Sequence, residues 1–362
     1  MRIFLCIGTR PEAIKMLPLA IELKKYEGFE VKICFSAQHS TLAKEVFDYY
    51  KIEPDICLRG LKKGDNLCEM TRKFLNYFDV VFEREAPDIV LVHGDTTTAF
   101  CASLVAFYKG IRIGHIEAGL RSFDAHSPFP EEFNRVAIDA MADYHFAPTL
   151  ENVKNLAKEG KNNAFLVGNT VIDAINSSIS KDYYSPFLQL CDGKKLLVIT
   201  MHRRESLGDK MRGALLGIRD ILDADDGLFA ILPVHPNPLV REAVFDIFCN
   251  VKNIKICEPM PLYDFHNILS RAFAVLTDSG GIQEEACYLG VPVFLLRDRT
   301  ERCEGEQSGN ICILGTGRNE IFNGFFGVLE NGERLSKMQK PSLIFGDGTA
   351  CEKIAKILLS IS

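Results

Sequence analysis

Three acids stand at expected strand ends or on the loops adjoining them. Asp95 follows Ile89-Val90-Leu91-Val92, inside His93-Gly94-Asp95-Thr96-Thr97-Thr98. Glu117 follows the run Ile111 to Ile116, and Glu131 follows the irregular polar segment 122–130 where a helix pattern opens. In open α/β sheets ligands bind at the carboxyl ends of strands, so Asp95 is placed for chemistry. One such acid is usually a cap or a salt-bridge partner; three on one edge suit general acid/base work. Cations stand nearby in the chain. The run Ile3 to Ile7 ends at Gly8-Thr9-Arg10-Pro11-Glu12, with Lys15 a little over one turn later. Arg10 and Lys15 can clamp a phosphate, the arginine in bidentate fashion, or they simply solvate a helix start. The turn lacks GxGxxG, so no nicotinamide dinucleotide is expected there.

The second half carries a different set. Ala274-Val275-Leu276 runs through Thr277-Asp278 into Ser279-Gly280-Gly281 and then a helical pattern with Glu284 and Glu285 one turn in. Bare N–H groups at such a helix start, with the positive end of its dipole, attract an anion, and the glycines let it approach the backbone. An acid one turn in can reach a ribose hydroxyl pair. The plain alternative is an ordinary strand–turn–helix with Ser279 as N-cap. Leu196 to Thr200 delivers Met201-His202-Arg203-Arg204, and Phe229 to Pro233 delivers His235. A lone histidine is usually structural; one followed by two arginines at a strand end is less often so. Val291 to Leu296 delivers Arg297 to Arg302.

These residues need a frame that presents strand ends. The chain has 362 residues, 47% hydrophobic and 25% charged, with net charge −6. That length suits two domains, and the charge argues against a nucleic-acid partner. The twelve cysteines are scattered without a CxxC pair, which reads as buried thiols in a reducing cytoplasm rather than a disulfide frame or a metal site. No apolar run is long enough for a membrane span. Strands alternating with helical patterns predict two doubly wound α/β domains facing across a cleft, each with its functional loops at the carboxyl ends of its sheet. The expected boundaries are 1–176, a polar linker over 177–194, and 195–348, with a final amphipathic helix in 349–362 returning to the first domain. The first unit offers acids and the second an anion turn with Arg302, a division that suits a nucleotide-sugar enzyme.

Ten ordered blocks carry a resemblance along nearly the whole chain: GTRPEAIKM (8–16), AQH (37–39), LVHGDTTT (91–98), GHIEAGLR (114–121), SPFPEE with NR (127–135), GNTVIDA (168–174), HRRES (202–206), PVHPNP (233–238), LTDSGGIQEEA (276–286) and RDRTER (297–302). The chain resembles the non-hydrolysing UDP-N-acetylglucosamine 2-epimerases. The resemblance implies a fold of the glycosyltransferase-B type, a homodimer, and reversible conversion of UDP-N-acetylglucosamine to UDP-N-acetylmannosamine, supplying N-acetylmannosamine for surface polysaccharide. It implies no metal and no cofactor. Asp95, Glu117 and Glu131 are similar to the family's catalytic acids and His202 to its catalytic histidine. By the same likeness Arg10, Lys15 and Arg302 hold diphosphate or sugar, and Ser279, Gly280 and Gly281 donate to the phosphates. Glu285 meets the ribose, Phe265 stacks on uracil, the Met260 backbone pairs with the base edge, and His235 sits near the substrate. A hydrolysing relative, a glycosyltransferase of the same fold and a nucleotide-sugar sensor are the rival readings.

The chain also departs from the family pattern. Met201 stands where a glycine is usual and can crowd the turn before His202. Cys303 replaces a proline and frees a loop that the ring would pin. Gly64-Asp65 and Thr41 differ in regions that in some members help bind a second, activating substrate molecule.

Overall fold

The computed structural model describes residues 1–38, 40–58, 61, 64–201 and 208–362. It divides into two compact units. Unit 1 is Met1–Ser177 with Gly346–Ser362, and unit 2 is Ser178–Phe345.

Unit 1 is built on strands β1 (Arg2–Ile7), β2 (Glu30–Phe35), β3 (Ile56–Cys57), β4 (Ile89–His93), β5 (Arg112–Ile116), β6 (Tyr144–Ala147) and β7 (Ala164–Leu166). They pair in the order β3-β2-β1-β4-β5-β6-β7, and every pairing is parallel. The run Ile3 to Ile7 is buried throughout, as strands covered by helices on both faces require. Phe4, Val90 and Val92 share one core with Phe74, Phe78 and Phe82 from the helix Leu67–Glu85.

Unit 2 repeats the plan with β8 (Lys195–Thr200), β9 (Leu228–Pro233), β10 (Ile254–Cys257), β11 (Ala274–Thr277), β12 (Val293–Leu295) and β13 (Ile311–Ile313). Their order is β10-β9-β8-β11-β12-β13, again all parallel. In both units the chain starts at a central strand, winds one way, and then crosses back to the other side of it. The crossing lies between β1 and β4 in unit 1 and between β8 and β11 in unit 2. Loops at such a switch point diverge and leave room for a ligand.

The expected linker over 177–194 is not one. Tyr183, Phe187 and Leu188 pack with Cys191 on the unit 2 core, and Pro186–Gln189 forms a short helix. Ser178 Oγ lies 2.6 Å from His266 Nδ1, and Asn267 Oδ1 accepts from Ser180 N at 2.9 Å. The polar composition belongs to side chains that tie the segment down. The helix Ala350–Ser360 completes unit 1. Asp173 accepts from Ala350 N and Cys351 N at 3.2 and 2.9 Å, and the helix packs against Arg10–Leu23. All twelve cysteines are free thiols.

Candidate active site

At the switch point of unit 1 the loops after β1, β4 and β5 meet. Thr9 caps the helix Arg10–Leu23 in a reciprocal box with Glu12. Arg10 opens that helix, with its Nε 3.5 Å from Glu45 Oε2. Lys15, one turn further, forms an ion pair with Glu117, and both side chains are largely buried. Asn169 Nδ2 donates to the same Glu117 Oε1 at 3.2 Å.

Glu117 has φ +68°, in the left-handed region that costs a residue with a Cβ about 1–2 kcal/mol. The turn is fixed from below, since Glu117 N and Ala118 N both donate to Phe146 O at 3.1 and 3.2 Å. Gly119, at φ +84°, leaves no room for a side chain, because a Cβ would stand 2.4 Å from Asn152 O. Asp139 lies beneath this turn. It accepts from His115 Nδ1 at 2.6 Å and Gly119 N at 3.2 Å, and Arg121 lies 2.7 Å away. Burial alone would raise its pKa; His115 and Arg121 outweigh burial and hold it at about 2.

Asp95 forms an ion pair with Arg135, while Asn134 Nδ2 donates to the Asp95 carbonyl at 2.8 Å. Both partners come from the helix Glu131–Met141. Glu131 is its first residue, and positions three and four further on share its face, so that face carries Glu131, Asn134 and Arg135 together. Gly94 joins this group to Glu117: a Cβ there would stand 3.1 Å from Glu117 Oε2. Asp95, Glu117 and the start of the Glu131 helix therefore meet at one edge. His93 Nε2 is 4.0 Å from Glu117 Oε2. Burial pushes the His93 ring down to about 3, so it is neutral across the physiological range.

Unit 2 presents its turn at the other switch point. Ser279 precedes the helix Gly280–Leu289 but makes no side-chain capping bond; its N–H donates to Thr277 Oγ1 at 2.9 Å. Ser279 holds the N-cap position without the side-chain bond that usually accompanies it. Arg302 is buried against the same turn, where a Cβ on Gly280 would lie 2.4 Å from Nη1. A cation beside a helix N-terminus is opposed by the dipole, and two acids hold it there. Arg302 Nε donates to Glu284 at 2.6 Å and Nη1 to Glu301 at 2.8 Å. Gly281 meets nothing within 4 Å of its Cβ position.

The other expected residues are spread over unit 2. Glu285 is buried with Oε2 3.8 Å from His266 Nε2. Phe265 lies half-buried on the helix Leu262–Leu269, and Met260, just before it, is buried in the unit 2 core. His235 Nδ1 accepts from Asn237 N at 3.2 Å, so its other nitrogen carries the proton. His202 lies outside the described residues. Met201 is buried in the unit 2 core cluster that includes Met211 and Leu215, and the turn that follows it lies outside the described residues. Cys303 starts the short helix Cys303–Ser308 and its Sγ donates to Thr300 O at 3.6 Å.

Three residues that the motif reading passed over stand in this site. Glu132 accepts from Ser122 N and Phe123 N, each at 3.0 Å, and ties down the irregular segment before the helix. Asn169 reaches Glu117 from the block GNTVIDA. Glu12 is announced by the capping-box spacing Thr9-x-x-Glu12, which the chain shows plainly.

Known proteins are similar to this chain along nearly its whole length. The UDP-N-acetylglucosamine 2-epimerase of Bacillus subtilis is 43% identical over 361 residues, covering 99% of this chain and 95% of its own length. The structure of a putative UDP-N-acetylglucosamine 2-epimerase from Listeria monocytogenes is 41% identical, with a TM-score of 0.96 covering 100% of this chain and 96% of that one. The Neisseria meningitidis enzyme, solved bound to UDP-GlcNAc, is 38% identical, with a TM-score of 0.95 covering 99% of this chain and 100% of that one. The calicheamicin glycosyltransferase CalG4, at 14% identity and a TM-score of 0.58, shares the fold alone, which places the two-unit plan in the glycosyltransferase-B type. A family model described as UDP-N-acetylglucosamine 2-epimerase matches residues 21–359, and with relatives this similar over nearly their full length, the chain belongs to the UDP-N-acetylglucosamine 2-epimerase family.

Proposed function

We propose that this chain interconverts UDP-N-acetylglucosamine and UDP-N-acetylmannosamine without hydrolysis, through elimination and re-addition of UDP. The observation that carries the reading is the meeting of Asp95, Glu117 and the Glu131 helix at one strand edge, with Lys15 and Asn169 fixing Glu117. C2 of the sugar has no adjacent carbonyl, so its hydrogen is poorly acidic. In the proposed path a carboxylate takes the C2 proton, the C1–O bond breaks, and its electron pair leaves with UDP. A C1–C2 double bond forms and C2 becomes planar. The UDP oxygen then returns to C1, and a proton is delivered to the opposite face of C2. The step consumes no water, oxidant or metal. Such a path needs acids near C2 and cations on the departing diphosphate.

In this reading Asp95, Glu117, Glu131 and His202 are catalytic. Ser279, Gly280, Gly281 and Arg302 hold the diphosphate, with Arg10 beside the sugar. Glu285 meets the ribose, Phe265 and Met260 meet the base, and His235 lies near the substrate. Lys15 serves the sugar through Glu117 rather than gripping phosphate directly, because its ammonium is paired with that acid. The product supplies N-acetylmannosamine for surface polysaccharide.

We assign the active form as a homodimer. The helices Leu67–Glu85 and Thr97–Tyr108 with the segment 129–134 line a groove of about 870 Å³. Its rim carries the exposed rings of Tyr108, Phe129 and Phe133. A second copy presenting the same face would cover them.

The test is incubation with UDP-N-acetylglucosamine in deuterium oxide, followed by NMR. The expected result is deuterium at C2 in both epimers with the nucleotide still attached. Free UDP together with free sugar would instead identify a hydrolysing enzyme. Absence of exchange would leave a sensor or a transferase.

A further inference from the structure

Glu12 touches two loops that the proposed function assigns to chemistry, yet it is none of the reacting groups. Its side chain is 1% exposed. Oε2 accepts from Gly8 N at 3.1 Å, Thr9 N at 2.7 Å and Thr9 Oγ1 at 2.7 Å. Oε1 accepts from Thr96 Oγ1 at 2.7 Å. Gly8 and Thr9 lead directly into Arg10, and Thr96 directly follows Asp95. A capping box needs only the exchange between Thr9 and Glu12; the bond to Thr96, 84 residues away, serves no helix start at Arg10. Thr96 Oγ1 also accepts from Ala99 N at 3.0 Å, so its hydroxyl proton points at Glu12.

We propose that Glu12 is a positioning residue for the epimerisation. Its carboxylate couples the Arg10 turn to the Asp95 loop through Thr96, across the β1–β4 switch point, and so sets where the Asp95 carboxylate stands. The inference rests on the reading that Asp95 acts on the sugar.

Burial without an opposing charge on the side chain has a consequence. It pushes the Glu12 carboxyl up to about 7, against the four hydrogen bonds that favour the ionised form. The Cys6 thiol faces it from β1 and is itself pushed up by burial, so it stays uncharged. On the flanking loops the charged neighbours are Arg10 and Asp95. The backbone N–H groups on the Oε2 side cannot accept a proton, but the Thr9 and Thr96 hydroxyls each can. A proton on Oε1 reverses the bond to Thr96 Oγ1, and one on Oε2 reverses the bond to Thr9 Oγ1. In either case the neutral carboxyl gives up the charge-assisted bonds that tie the two loops together.

The test uses the full chain with Thr96→Val, Thr96→Ser, Glu12→Gln and the double variant Glu12→Gln/Thr96→Val. The measurements are kcat, UDP affinity by calorimetry, and Tm. Thr96→Val is expected to lower kcat by about 10- to 100-fold with UDP affinity unchanged, the scale of a small misplacement of a reacting group. Thr96→Ser keeps the hydroxyl and should restore kcat. The double variant should be no slower than the slower single variant, because both remove one link. The wild-type kcat should fall on the acid side of about pH 7, and Glu12→Gln should flatten that limb. A Thr96→Val protein with wild-type kcat, a double variant whose losses multiply, or an unchanged acid limb in Glu12→Gln would each overturn the proposal. If the wild-type protein moves no hydrogen at C2, the function proposed above fails, and that outcome is separate from these.

Discussion

The two units share one strand order and use it with opposite polarity. In unit 1 two of the acids proposed for chemistry pair with cations, Glu117 with Lys15 and Asp95 with Arg135. In unit 2 a cation, Arg302, stands at the Ser279 turn and pairs with the acids Glu284 and Glu301. A buried charge without a partner is costly, and removing one member of such a pair costs about 3–5 kcal/mol through the member left behind. Truncation at either site would therefore confuse function with folding. Isosteric changes separate them, and they should divide by unit: turnover without affinity in one, affinity without chemistry in the other.

The sharpest division is expected from Glu117→Gln. It should lower turnover by roughly 10²–10⁴-fold with UDP affinity unchanged, read by C2 deuterium exchange and calorimetry. Loss of both would give the residue a structural role and blur the contrast. Arg302→Lys keeps the charge but loses the planar fork that spans Glu284 and Glu301. UDP binding should weaken by about tenfold or more, while exchange at saturating substrate persists. Gly280→Ala puts a methyl 2.4 Å from the Arg302 guanidinium and should give a smaller loss of the same kind. Equal damage to kcat from either unit 2 variant would break the comparison.

A finer test lies within unit 1, in the pH dependence of stability. Burial lowers His93 from 6.5 to about 3, so the unfolded chain takes up a proton that the folded chain refuses. Stability from this group is lost as pH falls from 6.5 towards 3. Glu12 works in the other direction. Burial raises it from 4.5 to about 7, so the folded chain binds the proton more readily, and stability is lost as pH rises from 4.5 to 7. Between 4.5 and 6.5 the two oppose each other. In that window Glu12→Gln should show a steeper fall of Tm with acid than wild type, and His93→Asn a flatter or reversed one. The smallest expected effect on stability lies at the groove rim, on the helix that Glu131 begins. Phe133→Asp on the exposed groove rim should shift sedimentation towards monomer, with Tm of the monomer little altered.

Much of this molecule can be read from its strand ends. Continuous apolar runs such as Ile3 to Ile7 and Leu196 to Thr200 mark buried parallel strands, and the carboxyl end of each run locates one edge of its sheet. Strands with mixed or short patterns escape this logic. Tyr144-His145-Phe146-Ala147 alternates ring types with a histidine that is buried, and Ile311–Ile313 is three residues long. The segment 177–194 reads as a polar linker although some of its hydroxyls bond inward, as Tyr183 does to Asp264 at 2.7 Å. Pairings across the chain are equally invisible in spacing. Lys15 reads as a phosphate clamp from its place in the turn, and its pairing with Glu117, 102 residues on, shows only in the fold. Glu12 is legible as half of a cap, but its bond to Thr96 depends on β1 and β4 lying side by side, which only the sheet order supplies.

The helix Ala350–Ser360 belongs to unit 1 although unit 2 separates it from the rest of that unit. On a ribosome, the half that carries Ser279 and Arg302 emerges as one uninterrupted stretch and can close its core as soon as it is released. In the acid-bearing half the face of Arg10–Leu23 is covered only once the helix Ala350–Ser360 has followed. Deleting that helix would therefore be felt first at the Arg10 turn that the uncovered helix begins, far from the cut in sequence. Limited proteolysis of stalled nascent chains should find the later-made half protected before the earlier one.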